Sequence, residues 1–202
     1  MYKFFNFGGK DMKNWIKAVL VIGVILVLLA IWVINGYNSL VAKSEQVQTA
    51  LSQIDNQLQR RNDLIPNLVE TVKKYAAHES EVFAQIAEAR AKLAGATTVE
   101  GMAQADAEVA SALSRLLAIA ENYPELKANQ NFIQLQDELA GTENRIAVAR
   151  RDYNEKARDY NTAIRRFPMN IIAGMFGFER AEYFEASEDA RQAPDVGELF
   201  GD

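Results

Sequence analysis

The chain has 202 residues, of which 49% are hydrophobic and 24% charged; that is enough apolar material for a packed core and excludes wholesale disorder. It contains no cysteine and a single histidine, which rules out a disulfide framework, a Cys-ligated zinc site, a thiol nucleophile and any chemistry needing two imidazoles in one chain. The net charge of -5 is unevenly spread: Lys3, Lys10, Lys13 and Lys17 oppose only Asp11 at the front, while residues 179–202 carry eight acids against Arg180 and Arg191. No large basic face is present, so nucleic acid is not an expected partner.

Ala18 to Ile34 is a run of 17 residues without a charge. With Trp15, Ile16 and the stem of Lys17 it reaches about 20 residues, or roughly 30 Å of helix, enough to cross a bilayer. Trp15, Trp32 and Tyr37 sit near its two ends, where aromatic rings settle at the membrane interface. The run is long for a signal-peptide core and no A-x-A-like site follows, so it reads as a retained anchor. Four lysines precede it, and only Lys43 falls in the twenty residues after Ile34. The positive-inside rule then predicts a cytoplasmic N-terminus and an extracytoplasmic C-terminal domain. Met12 offers a second start that would remove two of those lysines. The expected organisation is a basic head (1–17), a transmembrane helix (18–36), a helical bundle (37–185) and an acidic flexible tail (186–202).

Beyond the anchor no sustained alternation argues for a strand. Steps of four and three instead link Leu40, Ser44, Val47, Leu51, Ile54, Leu58, Arg61, Ile65, Leu68, Val72, Tyr75, Glu79, Val82, Ile86, Ala89 and Leu93, thirteen of sixteen apolar or aromatic. This is a heptad seam that predicts one helix of about 57 residues, reaching roughly 80 Å from the membrane. Gly95 is its expected C-cap, and Thr97-Thr98-Val99-Glu100 an expected capping box. A second helix of about 24 residues uses Met102, Ala105, Val109, Ala112, Leu116, Ile119 and Tyr123, and Pro124 stops it. A third, of about 37, starts near Asn131; Phe132, Leu139, Ile146, Tyr153, Tyr160 and Phe167 recur every seventh residue until Pro168.

Amphipathic helices need partners, and short connections favour antiparallel neighbours. The predicted fold is all-α: a transmembrane helix running on into an up-and-down bundle of three long helices plus a short fourth. The first seam outlasts the second helix. Either copies of the chain pack through it into a homo-oligomer, or the third helix covers it.

Arg61 falls on the core register, where a charge is costly unless paired. With Arg60, Asp55 and Asp63 nearby, it either pairs with a carboxylate across the bundle or between chains, setting register, or it snorkels from a bent helix. Pro66 predicts a kink or break. Arg60, Arg61, Asp63 and Pro66, with Leu40, Val47, Leu51, Ile54 and Leu58, are therefore the oligomer or register candidates. His78-Glu79 lacks the second histidine a zinc helix needs, because position 82 is Val82, so polar packing is the expectation. Tyr153 and Tyr160 form a core stripe whose neighbours Asn154 and Asn161 can bond between helices. Met169, Ile171, Ile172, Met175, Phe176 and Phe178 either close the bundle end or touch lipid or a partner. No catalytic set and no metal or cofactor site emerges.

Several blocks resemble the LemA family of bacterial membrane proteins: Tyr37-Asn38-Ser39-Leu40-Val41, Gln57-Leu58-Gln59-Arg60-Arg61-Asn62-Asp63-Leu64-Ile65-Pro66-Asn67-Leu68-Val69, Tyr123-Pro124-Glu125-Leu126-Lys127, Glu143-Asn144-Arg145-Ile146, Tyr153-Asn154, Tyr160-Asn161 and Phe167-Pro168. The resemblance spans about residues 35–185 and implies a single-pass, four-helix bundle of the bacterial inner membrane with no established enzymatic activity. It also implies membrane metallopeptidase or TPM-type partners. The expected function is a non-catalytic, self-associating envelope scaffold bound to the lipid bilayer. The alternative is an adaptor that docks a membrane protease or envelope sensor through its C-terminal apolar patch or acidic tail.

Overall fold

The computed structural model describes residues 9–185, with side chains from residue 14 onward. The acidic tail 186–202 and residues 1–8 of the basic head lie outside the described residues. Six helices follow one another: α1 (Gly9–Lys73), α2 (Ser80–Gly95), α3 (Val99–Glu121), α4 (Pro124–Lys127), α5 (Gln130–Arg165) and α6 (Met169–Phe176). No strand occurs among the described residues. The helices approach most closely as two pairs, α1 with α5 and α2 with α3, and α6 sits across the α1–α5 end.

α1 runs without a break from the apolar stretch into the bundle and passes straight through Pro66, so the expected break there does not occur. From Trp15 to Ile34 its large apolar side chains are uncovered. The chain's own cover begins at Gly36 and Leu40, both buried. From there Leu40, Val47, Ile54, Leu58, Ile65, Leu68 and Val72 face the core, as the heptad steps require.

The predicted 57-residue first helix is in fact two. The chain turns over residues 74–79 and returns as α2. No Gly or Pro marks the turn, and the seam positions Tyr75, Glu79 and Val82 continue the helical pattern, so local sequence alone does not reveal it. Tertiary packing decides. Asn129, at the start of α5, donates to the Tyr75 hydroxyl (3.1 Å), which puts the far end of α5 level with residue 75. A straight helix would carry the next apolar face beyond its partner into water; turned back, Phe83, Ile86, Ala89 and Leu93 are buried. The bundle thus has four principal helices, and the 37 residues of α1 beyond Gly36 rise about 55 Å rather than 80 Å.

Two caps differ in detail. Gly95 is the last helical residue of α2, and Ala96 leaves it in extended conformation. Thr98, not Thr97, caps α3 by accepting from the Gly101 amide (3.0 Å), which leaves Glu100 no part in a reciprocal box. Asn129 caps α5 through the Phe132 amide (3.2 Å). α5 ends at Arg165, so Phe167 falls outside the heptad stripe that the spacing assigned to it and stands exposed.

Two coverings share the length of the α1–α5 pair. Asn56 and Gln57 line a groove with Asn144, Arg145 and Val148, while Glu45 and Gln46 line one with Glu155 and Lys156, so α5 descends antiparallel towards the apolar end of α1. The α2–α3 hairpin covers the far part of this pair. Its tip comes down to Val99, which shares a groove with Val47 and Leu51. Below that level an extended strap, residues 178–185, takes over.

Candidate functional site

Two side-chain constellations stand out. The first is a charge cluster at mid-height. Arg61 of α1 is 1% exposed and Asp106 of α3 2% exposed. The Arg61 guanidinium donates to both the carboxylate and the backbone carbonyl of Asp106, the latter at 3.3 Å, and to Glu143 of α5 at 2.9 Å. Arg150 of α5 pairs with the other Asp106 oxygen. One buried carboxylate therefore sits between two guanidiniums drawn from two other helices.

Burial pulls Arg61 below the ordinary arginine range, and the Glu143 carboxylate opposes that shift. Burial, then the like charge of Arg61, lowers Arg150 to about 10. Both remain cationic at neutral pH, so the fold holds two positive charges against Asp106 and the half-exposed Glu143. Buried ion groups are costly to desolvate, and their best-attested role is setting register. Here they fix the α2–α3 hairpin against α1–α5. Arg90 of α2 adds a bond from its Nε to the Asn62 side-chain oxygen (2.9 Å).

Of the candidate residues, Arg61 therefore pairs within the chain, through α3 and α5, and neither snorkels nor uses Asp55 or Asp63. Arg60 and Asp63 are exposed, and Asp63 accepts from Gln59 one turn away (3.0 Å). Leu40, Val47, Ile54 and Leu58 are buried and Leu51 half-buried inside the chain's own core, where α5 covers them. Of the two readings of the long seam, cover by a helix of the same chain is the one present.

Asp106, Glu143 and Arg150 were not singled out from sequence, although a signal existed. Asp106 lies four residues after Met102 and three before Val109, and Arg150 four after Ile146 and three before Tyr153. Each is a charge on an inner helical stripe.

The second constellation is the collar where α1 leaves its apolar stretch. Asn154 and Asn161 do not bond between helices. Each side-chain amide instead makes a two-way bond with the strap backbone, as a neighbouring peptide would. Asn161 donates to the Ala181 carbonyl (2.8 Å) and accepts from its amide (2.9 Å). Asn154 does the same with Phe184 (2.9 and 2.8 Å). The Tyr153 hydroxyl donates to the Glu182 carbonyl (2.7 Å), and Phe184 is buried with the Arg150 guanidinium 4.9 Å from its ring centre. Arg150 thus touches both constellations.

α6 lies against Gly36. A Cβ there would come within 2.4 Å of Ile172 Cδ1 and 3.1 Å of Met169 Sδ, so the glycine lets these two side-chain tips pack directly onto α1. Ile172 is buried, Met169 and Phe178 half-buried, while Ile171, Met175 and Phe176 remain exposed. The segment does close the bundle end, with one face left over. Gly177, at φ 71°, ends α6 in the left-handed region, and its amide and that of Phe178 both reach the Ala173 carbonyl.

No group of three His, Asp or Glu side chains placed to hold a metal occurs among the described residues, and His78 is exposed. Residues 50–197 match the sequence model of the LemA family. The chain belongs to the LemA family. It is 31% identical to magnetosome protein MamQ 2 of Paramagnetospirillum magneticum, over 84% of this chain and 72% of that protein. It is 30% identical to magnetosome protein MamQ of Magnetospirillum gryphiswaldense, over 73% of this chain and 64% of that one. It is 29% identical to protein LemA of Metamycoplasma hominis, over 80% and 74%. Among the described residues one helix is long and apolar enough to cross a membrane, and this LemA-family chain is a membrane-associated helical protein.

Proposed function

We propose that this LemA-family protein is a non-catalytic scaffold of the bacterial inner membrane, anchored by residues 18–36 with its bundle on the extracytoplasmic side. The observation that carries the reading is the continuity of α1, which runs from the uncovered apolar stretch to Lys73 as one helix. A bundle built on that helix has no hinge between anchor and body, and it stands rigidly on the membrane. The charge cluster and the collar both serve to keep it so. Neither presents a nucleophile beside a base.

Self-association into a homo-oligomer belongs to the same proposal. Because the seam is covered within the chain, contacts between copies fall to the outer faces and the span. Light scattering and electron microscopy of the full chain in detergent test this: a particle of several chains is expected, and a single-chain particle overturns the scaffold in favour of the adaptor. A membrane metallopeptidase or TPM-type partner for that adaptor has the family resemblance behind it and no feature of this chain. The lysine bias supports the outward orientation. External protease on spheroplasts is expected to degrade the bundle, and protection of the bundle would reverse the topology.

A further inference from the structure

We infer that the left-over face of the α5–α6 corner, formed by Phe167, Ile171, Met175 and Phe176, is seated in the interfacial layer of the same bilayer that α1 crosses. The protein would then hold the membrane at two points, a spanning helix and a shallow apolar foot. The occupant is lipid. This inference rests on reading residues 18–36 as a span, and the experiment below separates the two.

The four side chains are 77%, 50%, 69% and 50% exposed, unusual for large apolar groups so close together. Their position decides what covers them. Ile172, on the neighbouring face of α6, is buried against Gly36, two residues beyond Ile34, where the apolar run gives way to Asn35. Two residues of helix are about 3 Å, and the headgroup layer on each side of the hydrocarbon is roughly 5–7 Å thick. A helix packed at Gly36 therefore lies at headgroup depth.

The register of α5 gives the same level independently. Lys156 shares a groove with Glu45, so the nine residues on to Arg165 bring α5 down to about Gly36. The aromatic contacts agree. Tyr37, at the span's end where aromatic rings favour the interface, lies 4.8 Å from the Phe176 ring and 5.7 Å from Phe178. Arg165 and Arg166, both exposed, precede Phe167 and can meet lipid phosphates while the rings insert. A short helix with one apolar face parallel to a lipid surface binds by burying that face in the acyl–headgroup boundary.

The chain has no cysteine, so single cysteines can be placed without removing any. The full chain, reconstituted in vesicles of phosphatidylcholine and phosphatidylglycerol, is labelled with bimane at F167C, I171C or M175C. I25C in the span and E88C on α2 serve as controls. Quenching is read with lipids spin-labelled either near the headgroup or deep in the acyl chain, and with aqueous iodide. The foot labels are expected to be quenched by the shallow lipid probe and shielded from iodide, while E88C behaves oppositely. Iodide quenching of the foot equal to that of E88C overturns the inference, as does shielding from both quenchers, which would mean a protein partner or second copy covers the face. Absence of lipid quenching at I25C overturns the span itself and is thereby told apart from failure of the foot.

Discussion

The same α1–α5 pair is covered in two ways along its length, and the two coverings are fastened by different chemistry. Away from the apolar stretch of α1 the α2–α3 hairpin is locked by charge: Asp106 reaches into a place otherwise held by Arg61 and Arg150. Next to that stretch, α6 and the strap are held by shape and neutral amides, with Ile172 on Gly36 and the side chains of Asn154 and Asn161 on peptide groups. A charge lock penalises every wrong register heavily, because a displaced partner leaves a desolvated ion. An amide clasp penalises it mildly: the two asparagines read only the strap backbone, and of the strap side chains Phe184 adds a buried ring beside Arg150. The hairpin is thus the part specified by all-or-none pairing, and the collar the part that can be loosened stepwise.

The largest effect should come from breaking the lock on one side. Asp106→Ala leaves the buried Arg61 and the half-buried Arg150 guanidiniums facing each other, with Glu143 the one carboxylate left to Arg61, and should cost about 3–5 kcal/mol. Replacing Arg61 by Met and Asp106 by Leu together should cost less, because the ions that lose their partners, Arg150 and Glu143, both keep access to water. Denaturant unfolding of the detergent-solubilised chain, followed by helical circular dichroism, checks both. A double variant as damaged as the single one would mean that the charges contribute more than register.

At the collar, Ile172→Ala removes a buried side chain from the α1 contact and should cost about 2–4 kcal/mol. Asn154→Ala and Asn161→Ala should each cost less, about 1–3 kcal/mol, as each strands one buried donor and one acceptor of the strap. The discriminating measurement is hydrogen exchange. The Ala181 and Phe184 amides should exchange faster in these variants while α2 and α3 stay protected. Loss of protection in α3 would show that the clasp and the lock are coupled, and Arg150, which touches Phe184 and Asp106, is the residue through which that would occur.

How much of this was legible depended on what each feature looks like locally. The seam from Leu40 to Val72 could be stepped off because a helix repeats its environment every three or four residues. Arg61 was conspicuous as a charge on that seam. Its partners Asp106 and Glu143 were not, because they come from helices whose docking is a tertiary outcome; the seam pointed only to some carboxylate across the bundle or between chains. The turn at 74–79 was hidden for a related reason: nothing in Lys74–Glu79 opposes a helix, and only the end of α5 makes continuation unfavourable. The strap has no periodicity to read. Its trace lay in the seven-residue spacing of Asn154 and Asn161, which was visible and was assigned to bonds between helices.

The smallest effect expected is one of pH, and at the collar it runs through two tyrosines. Burial, then the nearby Glu182 carboxylate, pushes the Tyr153 hydroxyl above the ordinary phenol range, and burial followed by Glu179 does the same to Tyr160. The fold therefore favours the neutral phenol, which in Tyr153 is also the form that donates to the Glu182 carbonyl. The unfolded chain releases that proton near pH 10. The contribution of these groups is complete below that pH and is lost as the pH climbs through their higher folded values. Hydrogen exchange of the strap should thus speed up above pH 10 by more than the intrinsic base-catalysed rise measured for exposed amides. Tyr153→Phe should remove much of the excess, because Phe has no proton to lose, at the cost of slightly weaker strap protection at neutral pH. An unchanged alkaline excess in that variant would move the titrating group away from Tyr153 and leave the strap held by its two asparagines.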